Sequence, residues 1–263
     1  MPPRRRFAMA AFVMASACSP SRFGWHEEPD TVDRYRAGFT AAVGSQLVES
    51  ASLPDVLQRT RQVRVLWLGD HHRSQRLHHE QRNLLRALAG TGRRLLLVLE
   101  AIGEQDHAWL DAWLAGTVDM RSLRAGIRRR WPGSWLEDGE LDAAYYRDLL
   151  AFAAQHDALV RGLEPAPRLP LTERDARIAA RVRQLAETHT DRLVVVVLGQ
   201  AHLLGQGDVI ARCGMPNLAL GGEPPAALAA AAVDRSPTGL SRSASGLWWF
   251  DTLLAARPLQ DDG

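Results

Sequence analysis

The sequence predicts an α/β protein built on a mostly parallel sheet. Four apolar runs rich in Val and Leu alternate with segments of helical periodicity, which is the pattern of successive strand–helix–strand units. The runs cover residues 63–68, 94–99, 158–163 and 193–198. Two of them lead into Gly-x-x-His segments and two run into a glutamate. Because ligands of open parallel sheets bind beyond the carboxyl ends of the strands, we expect the four strand ends to share one site.

The predicted elements follow one another regularly, apart from one long insertion. A polar lead-in over 18–50 precedes the main domain, 51–263, whose first helix begins near Ser52. A helix over 78–89 follows the first strand and carries leucines at helical spacing, so it is predicted to pack on the sheet. Residues 103–140 are more than a crossover needs, and we expect them to form a helical lid subdomain inserted after the second strand.

The predicted lid is rich in tryptophan. It contains Trp109, Trp113, Trp131 and Trp135. In one interpretation these side chains form a small core beneath the lid. In the other they form a flat aromatic wall for a planar ligand.

The chemistry-bearing residues of the predicted site lie at the four strand ends. They are Asp70, His72, Glu100, Glu164 and His202. Carboxylates and imidazoles suit metal ligation or acid–base catalysis, because their pKa values bracket neutrality. In a metal-dependent hydrolase, His72 and His202 would hold the metal with Asp70 or a glutamate, and another carboxylate would activate bound water. The alternative is that each of these side chains only caps the helix that follows its strand.

Histidines are also dense just after the first strand. His71, His72, His78 and His79 lie within nine residues. If a helix begins near Gln75, His78 and His79 point about 100° apart. We therefore expect only one of these two to face the site.

The first residues predict export. Arg4–Arg6, the apolar stretch 7–15 and small residues before a cysteine are the parts of a signal peptide, here 1–17. The context of Cys18 resembles the lipid-modified cysteine of bacterial lipoproteins, and the alternative is a plain secretory signal. A lipid on Cys18 leaves Cys213 without a partner, so no disulfide is predicted. We expect a protein of the bacterial cell envelope that is anchored to a membrane through lipid.

The composition favours a single domain and disfavours nucleic-acid binding. Without the leader, about 245 residues remain, which one α/β domain can accommodate. The 32 basic residues are all Arg, and 30 acidic residues accompany them, for a formal net charge of +2. Because the basic residues are dispersed among acidic ones, nucleic acid is not expected as a partner. The densest group of arginines, over 121–130, is interpreted as a solvated helix face or as a contact for an anionic ligand.

The motifs as a set resemble those of ChaN-type haem-binding lipoproteins. Leu68-Gly69-Asp70-His71-His72 is similar to their Leu-Gly-Glu-x-His opening, and Leu99-Glu100 to their Leu-Glu-Met strand end. Further similar segments, all in the same order, are Tyr146-Arg147-Asp148, Arg174-Asp175, Gly199-Gln200-Ala201-His202 and Trp248-Trp249-Phe250-Asp251. The resemblance spans most of the chain beyond the lead-in. It also places the chain near Tiki-type peptidases and erythromycin esterases.

This resemblance implies a three-layer α/β domain with a lid that takes part in haem or iron uptake. Tyr146 or Tyr145 is then a candidate iron ligand, Trp113 a candidate wall of the haem pocket, and Arg side chains would pair with the propionates. A homodimer that holds haem between its lids is a further option. In the hydrolase alternative, with a divalent metal ion and a peptide or ester substrate, Arg174 joins Glu100 and Glu164 as a catalytic residue. Whether the protein is an enzyme stays open at this point.

Overall fold

The structure, a computed structural model, describes residues 29–130, 134–139, 141–167, 169–233 and 239–255. The predicted signal peptide, Cys18 and Trp131 lie outside the described residues.

One mixed sheet organises the described residues. Its strands, in chain order, are β1 (Leu47–Ala51), β2 (Val65–Asp70), β3 (Leu95–Gly103), β4 (Leu159–Glu164), β5 (Leu193–Gly199), β6 (Asn217–Leu220), β7 (Leu240–Ser243) and β8 (Trp248–Phe250). Their order across the sheet is β1-β7-β8-β6-β2-β5-β3-β4. The pairs from β8 to β4 are parallel, and β7 pairs antiparallel with both β1 and β8. The mostly parallel sheet expected from the sequence is therefore confirmed.

Helices cover both faces of the sheet. They are α1 (Pro29–Val43), α2 (Leu53–Thr60), α3 (Gln75–Gly90), α4 (His107–Leu114), α5 (Met120–Arg130), α6 (Ala143–Gln155), α7 (Leu171–Thr188), α8 (Val209–Cys213), α9 (Ala226–Ala230) and α10 (Asp251–Leu254). None of the helices in these described ranges combines the length and the apolar character needed to span a membrane.

Two apolar cores form because successive strand residues point to opposite faces. In β2, Leu66 and Leu68 enter one core, whereas Val65 and Trp67 enter the other. The first core is covered by α2 to α6 and the second by α1, α7, α8 and α9. The result is the three-layer α/β architecture that the family resemblance implied.

The described part of the lead-in belongs to the fold. Tyr35, Phe39 and Val43 recur every four residues, so they form one buried face of α1. The strand β1 then pairs with β7 at one edge of the sheet. Neither element was predicted from the sequence, because the region is polar overall and only one stripe of α1 is apolar.

The inserted lid is helical, as expected for the long insertion after the second predicted strand. It contains α4 and α5, whose Leu110, Leu123 and Ile127 are buried in the first core. Trp109 packs on Gly126, where a Cβ atom would lie only 2.5 Å from the indole ring. Trp113 likewise packs, partly buried, against the first core. For these two tryptophans the contacts favour the small-core interpretation.

Candidate functional site

The carboxyl ends of β2, β5, β3 and β4 lie side by side, so the chemistry-bearing side chains meet at one edge of the sheet. Gly199, the last residue of β5, is at the centre. A Cβ atom at this position would lie 3.4 Å from Glu100 Oε2, 3.5 Å from His202 Cδ2 and 3.5 Å from His72 Cε1. The absence of a side chain at Gly199 thus leaves a small space that both imidazoles border.

The first imidazole, His72, is held by Asp70 at the end of β2. The His72 Nδ1 atom lies 3.0 Å from Asp70 Oδ2, and the Tyr146 hydroxyl donates to the same oxygen at 2.7 Å. Burial by itself would lower the pKa of His72, but the hydrogen bond to Asp70 and the charge of Asp70 raise this pKa above its ordinary value. About a third of the side chain stays accessible, 34%. His72 is therefore fixed through Nδ1 while part of its ring stays accessible.

Asp70 is the hub of a longer buried chain of hydrogen bonds. Its Oδ1 atom lies 2.9 Å from His78 Nε2, and His78 Nδ1 lies 2.8 Å from Asp142 Oδ2. His78 can donate both of these hydrogen bonds only if each of its ring nitrogens carries a proton. Burial alone would raise the pKa of Asp70, but the hydrogen bonds from His72 and His78 bring it far below its ordinary value. The buried Asp70 is thus a carboxylate with both oxygens engaged.

The structure confirms that only one histidine of the neighbouring pair on α3 faces the site. His78 is fully buried and stacks on Tyr145 with ring centroids 3.8 Å apart, whereas His79 is exposed. Sequence reasoning left His78 without a role and did not single out Asp142. The signal for Asp142 was its place directly before a helix, where its side chain accepts from Tyr145 N at 3.2 Å.

The second imidazole, His202, is held in the same manner from the other face of the sheet. His202 Nδ1 lies 2.6 Å from Asp175 Oδ1, and the Tyr35 hydroxyl donates to Asp175 Oδ2 at 3.0 Å. Asp175 is fully buried on α7 and Tyr35 lies on α1. In the sequence analysis Asp175 appeared only as part of a family motif and Tyr35 lay in the polar lead-in, so the role of neither was predicted.

Arg174 joins the two glutamates. Its Nε and Nη2 atoms lie 2.9 and 2.6 Å from Glu164 Oε2, and Nη2 also donates to Glu100 Oε1. The other oxygen of Glu100 accepts from Gly199 N at 2.7 Å. Burial alone would raise the pKa of Glu100, but the charges of Arg174 and His202 lower it to about 2. Glu100 is therefore an ionised carboxylate between a guanidinium and an imidazole.

The two halves of the site have the same arrangement of side chains. In each, an aspartate holds Nδ1 of a histidine and a tyrosine hydroxyl donates to that aspartate. This leaves Nε2 of each imidazole for a ligand or for proton transfer. His202 Nε2 lies 3.8 Å from Glu100 Oε1, so the second imidazole also borders the central carboxylate.

The predicted metal centre at His72, His202 and Asp70 is not supported. The described residues contain no group of three or more His, Cys, Asp or Glu side chains placed to hold a metal ion. The physical reason is that the expected donor atoms already have partners. Both oxygens of Asp70 accept hydrogen bonds, and Glu100 is bound to Arg174 and to the backbone at Gly199.

The two tyrosines proposed as iron ligands are structural neighbours of His72 and His78. Both are buried; the Tyr145 hydroxyl donates to Gln81 Oε1, and the Tyr146 hydroxyl donates to Asp70. Burial, together with the charge of Asp70, raises the pKa of both phenols well above the ordinary value. Their role as iron ligands stays a prediction, and it would require each phenol to leave a buried hydrogen bond.

Among the lid tryptophans within the described residues, Trp135 contacts the site. Its ring centroid lies 4.4 Å from that of His72 and 5.4 Å from that of Tyr146. The role of Trp113 as a wall of a haem pocket stays a prediction, and the flat aromatic surface beside His72 is that of Trp135. The sequence could not separate the lid tryptophans, because which one reaches the site depends on how the lid folds back.

Comparisons with known proteins agree with this fold. A family model described as "Haem-binding uptake, Tiki superfamily, ChaN" matches residues 56–169. The predicted resemblance is thereby confirmed over the segment that carries His72, Glu100, Glu164 and the lid. No curated protein matches the chain.

Two solved structures share the architecture at low sequence identity. One, described as cofacial haem binding to ChaN of Campylobacter jejuni, is 13% identical with a TM-score of 0.50; the match covers 66% of this chain and 86% of that one. The other, the type III effector HopBA1, is also 13% identical with a TM-score of 0.50, and the match covers 80% and 96%. At this level of identity the likeness shows a common α/β fold.

Proposed function

We propose that this chain binds haem, on the premise that a haem-binding uptake family model matches the segment that carries the first half of the site. The observation that carries the proposal within the structure is the state of His72. Its Nδ1 atom is fixed on Asp70, and 34% of its side chain is accessible. Histidine is a common axial ligand of haem iron.

The surroundings of His72 suit an iron ligand. A carboxylate on the second ring nitrogen orients a ligating histidine and raises its basicity, which is the part Asp70 would play. The Trp135 ring, 4.4 Å away, supplies a flat apolar surface of the kind a porphyrin contacts. Bound haem would supply an iron centre for coordination and electron transfer. The chain's own contribution is to hold the imidazole in one orientation and to shield it with the lid.

We also propose that the protein acts in haem or iron uptake from the bacterial cell envelope, held there by lipid on Cys18. This part is supported by the leader-like sequence that precedes Cys18 and by the match to a haem-binding uptake family. A haem-binding domain on a lipid tether would keep captured haem at the membrane surface.

Haem titration of purified protein without a polyhistidine tag tests the proposal. Wild-type protein is expected to give a Soret band that saturates at a fixed stoichiometry, with quenched tryptophan emission because Trp135 is close to His72. His72→Ala should remove or shift this band, and His79→Ala, an exposed histidine on the same part of the chain, should leave it unchanged. No saturable binding by wild-type protein would overturn the proposal.

A second candidate function is acid–base hydrolysis of an ester or peptide bond. The observation that favours it is the pair of aspartate-held imidazoles on either side of Gly199, with Glu100 beside them. The raised pKa of His72 suits it to donate a proton to the leaving group. His202 would take a proton from the water whose oxygen attacks the acyl carbon, and Asp175 would stabilise the resulting imidazolium.

Hydrolysis of nitrophenyl esters and of fluorogenic peptides tests this second candidate. His72→Asn and His202→Asn should each lower the rate by roughly a hundredfold or more. The exposed His79→Asn controls for adventitious hydrolysis by surface imidazoles. If all three variants hydrolyse at the wild-type rate, the hydrolase candidate is wrong, and haem binding is judged by its own titration.

A further inference from the structure

The helix α1 reaches the second half of the strand-end site, although it lies outside the segment that the family model matches. That segment covers residues 56–169, whereas α1 runs over Pro29–Val43. One side chain of α1, Tyr35, is only 3% exposed, and its hydroxyl donates to Asp175 Oδ2 at 3.0 Å. The other oxygen of Asp175 lies 2.6 Å from His202 Nδ1. The helix is therefore connected to His202 through a single buried carboxylate.

A second contact joins α1 to the turn that follows His202. Gly205 lies in this turn with a φ of 72°, a conformation that glycine adopts without strain. A Cβ atom at Gly205 would lie only 2.7 Å from the carbonyl carbon and oxygen of Gly38 on α1. The turn thus packs directly on the backbone of the helix. The helix therefore contacts both the backbone beside His202 and the carboxylate that holds its ring.

The bond to Asp175 decides which ring nitrogen of His202 faces the rest of the site. An ionised carboxylate only accepts hydrogen bonds, so His202 donates to it from Nδ1. His202 Nε2 then lies 3.8 Å from Glu100 Oε1. If the carboxylate of Asp175 rotated, the imidazole would lose the partner that fixes its ring. The Tyr35 hydroxyl restricts this rotation because it holds the second oxygen of the same carboxylate.

We propose that Tyr35 is a positioning residue for His202, so that α1 completes the strand-end site. The proposal rests on the second candidate function, in which His202 takes a proton from water. It gives the lead-in helix a part in the site that the strand-end motifs do not contain. Because Tyr35 acts through Asp175, its hydroxyl should affect the turnover of bound substrate and not the binding of substrate.

The hydroxyl of Tyr35 can be removed without removing its packing. The Tyr35 and His202 ring centroids lie 6.0 Å apart at an interplanar angle of 60°, and phenylalanine would keep this contact. The other half of the site offers a matched control, because the Tyr146 hydroxyl donates to Asp70 in the same manner, at 2.7 Å.

Proton resonances of isotope-labelled histidine test the proposal without reference to activity. In wild-type protein the proton between His202 and Asp175 is expected far downfield of the backbone amides, because this bond to a carboxylate is short. Loss of the signal in His202→Asn assigns it. Tyr35→Phe should shift or broaden the His202 signal. Tyr146→Phe should leave that signal in place and shift the signal of His72 instead.

Hydrolysis of a nitrophenyl ester supplies the second readout. Tyr35→Phe should lower kcat about fivefold to tenfold, as expected for the loss of one hydrogen bond, and leave KM unchanged. Phe39→Leu, at a buried neighbour on the same face of α1, loosens the packing of the helix but keeps the hydroxyl. This control should lower the thermal midpoint and leave both kcat and the His202 signal unchanged.

The possible outcomes separate this proposal from the second candidate function. An unchanged His202 signal in Tyr35→Phe would overturn the positioning role, even if the protein hydrolyses esters. An equal shift in Phe39→Leu would also overturn it, because the packing of α1 would then account for the effect. A shift specific to Tyr35→Phe, in a protein whose wild type hydrolyses no ester, would support the positioning role and count against the hydrolase candidate.

Discussion

Gly199 is the residue on which the geometry of the site depends most directly. A methyl group there would meet Glu100, His202 and His72 at 3.4–3.5 Å, which is ordinary van der Waals contact. We therefore expect Gly199→Ala to change the free energy of unfolding by less than about 0.5 kcal/mol. The methyl group would fill the space between the imidazoles, so under the second candidate function hydrolysis should fall by about a hundredfold. Urea unfolding and ester hydrolysis of the same preparation check both parts.

Gly162 provides the matched control for that substitution. A Cβ atom at Gly162 would lie 2.1 Å from the carbonyl oxygen of Gly103, so the two neighbouring strands would have to separate. Gly162→Ala should cost about 1–3 kcal/mol of stability. If Gly199→Ala destabilises the protein as much as Gly162→Ala, then Gly199 is a packing residue and not the centre of a functional space.

The low pKa of Glu100 makes stability dependent on acid pH. This pKa falls from an ordinary value of 4.5 to about 2 in the folded protein. A carboxylate with a depressed folded-state pKa stabilises the fold above its unfolded-state pKa, and the stabilisation is lost as the pH falls through the folded-state pKa. The thermal midpoint should therefore drop as the pH falls from about 4.5 to 2.

Glu100→Gln isolates this contribution. Its thermal midpoint should be lower than that of wild type at neutral pH, because Arg174 loses one of its two buried partners. Between about pH 4.5 and 2, however, the variant should lose less stability than wild type. Parallel curves for the two proteins over this range would show that Glu100 does not titrate as described.

At the scale of elements, Asp142 is the point where the lid rejoins the core. Its side chain accepts from His78 Nδ1 and from the backbone N–H of Tyr145, and its own N–H donates to the carbonyl of His72 at 3.0 Å. Asp142→Ala removes a helix cap worth about 1 kcal/mol and leaves a buried nitrogen of His78 without its acceptor. We expect a total loss of about 2–4 kcal/mol in urea unfolding.

Asp148→Ala is the control, because Asp148 lies on the helix that Asp142 caps but is 52% exposed in its pair with Arg82. Exposed ion pairs contribute about 0–1 kcal/mol, so this variant should unfold close to wild type. Equal losses for the two aspartate variants would contradict a special role for the Asp142–His78 contact.

A segment of the fold could be predicted where its own residues form a continuous or periodic apolar pattern. The strands β2 to β5 and the helix α3 are continuous or periodic in apolar residues, and their positions followed from that alone. The edge strand β1 has alternating burial and only five residues, so its pairing with β7 could not be read locally. It is fixed by a partner far along the chain.

The site followed the same rule. Residues at strand ends, such as His72 and Glu100, could be grouped because parallel strands end at one edge. Asp175 comes from a helix and Asp142 from the position before one, and which of their side chains points at the site depends on how each helix packs. Likewise, metal ligation at Asp70 looked reasonable by residue type, but competition from His78 and Tyr146 for the same oxygens appears only in three dimensions.

At the scale of the whole molecule, the proposed lipid anchor is tested by Cys18→Ser. Several acyl chains attach a protein stably to a membrane, whereas a protein without them associates with the membrane only weakly. The variant should therefore move from the membrane fraction to a soluble pool or accumulate as an unprocessed precursor. Cys213→Ser, at a buried cysteine, controls for loss of a thiol in general. Unchanged membrane partition of Cys18→Ser would contradict the anchor.

The pairing of β1 with β7 also bears on when the chain can finish folding. Ser50 and Ser241, whose hydroxyl groups bond across these strands, are 191 positions apart in the chain. Closing so long a loop costs entropy that is recovered only once both partners are present, and folding rates fall as such contacts accumulate. The sheet edge therefore cannot close until Ser241 has been synthesised. For a protein proposed to leave the cytoplasm, this delay would leave one edge of the sheet unpaired while the chain passes through a membrane pore.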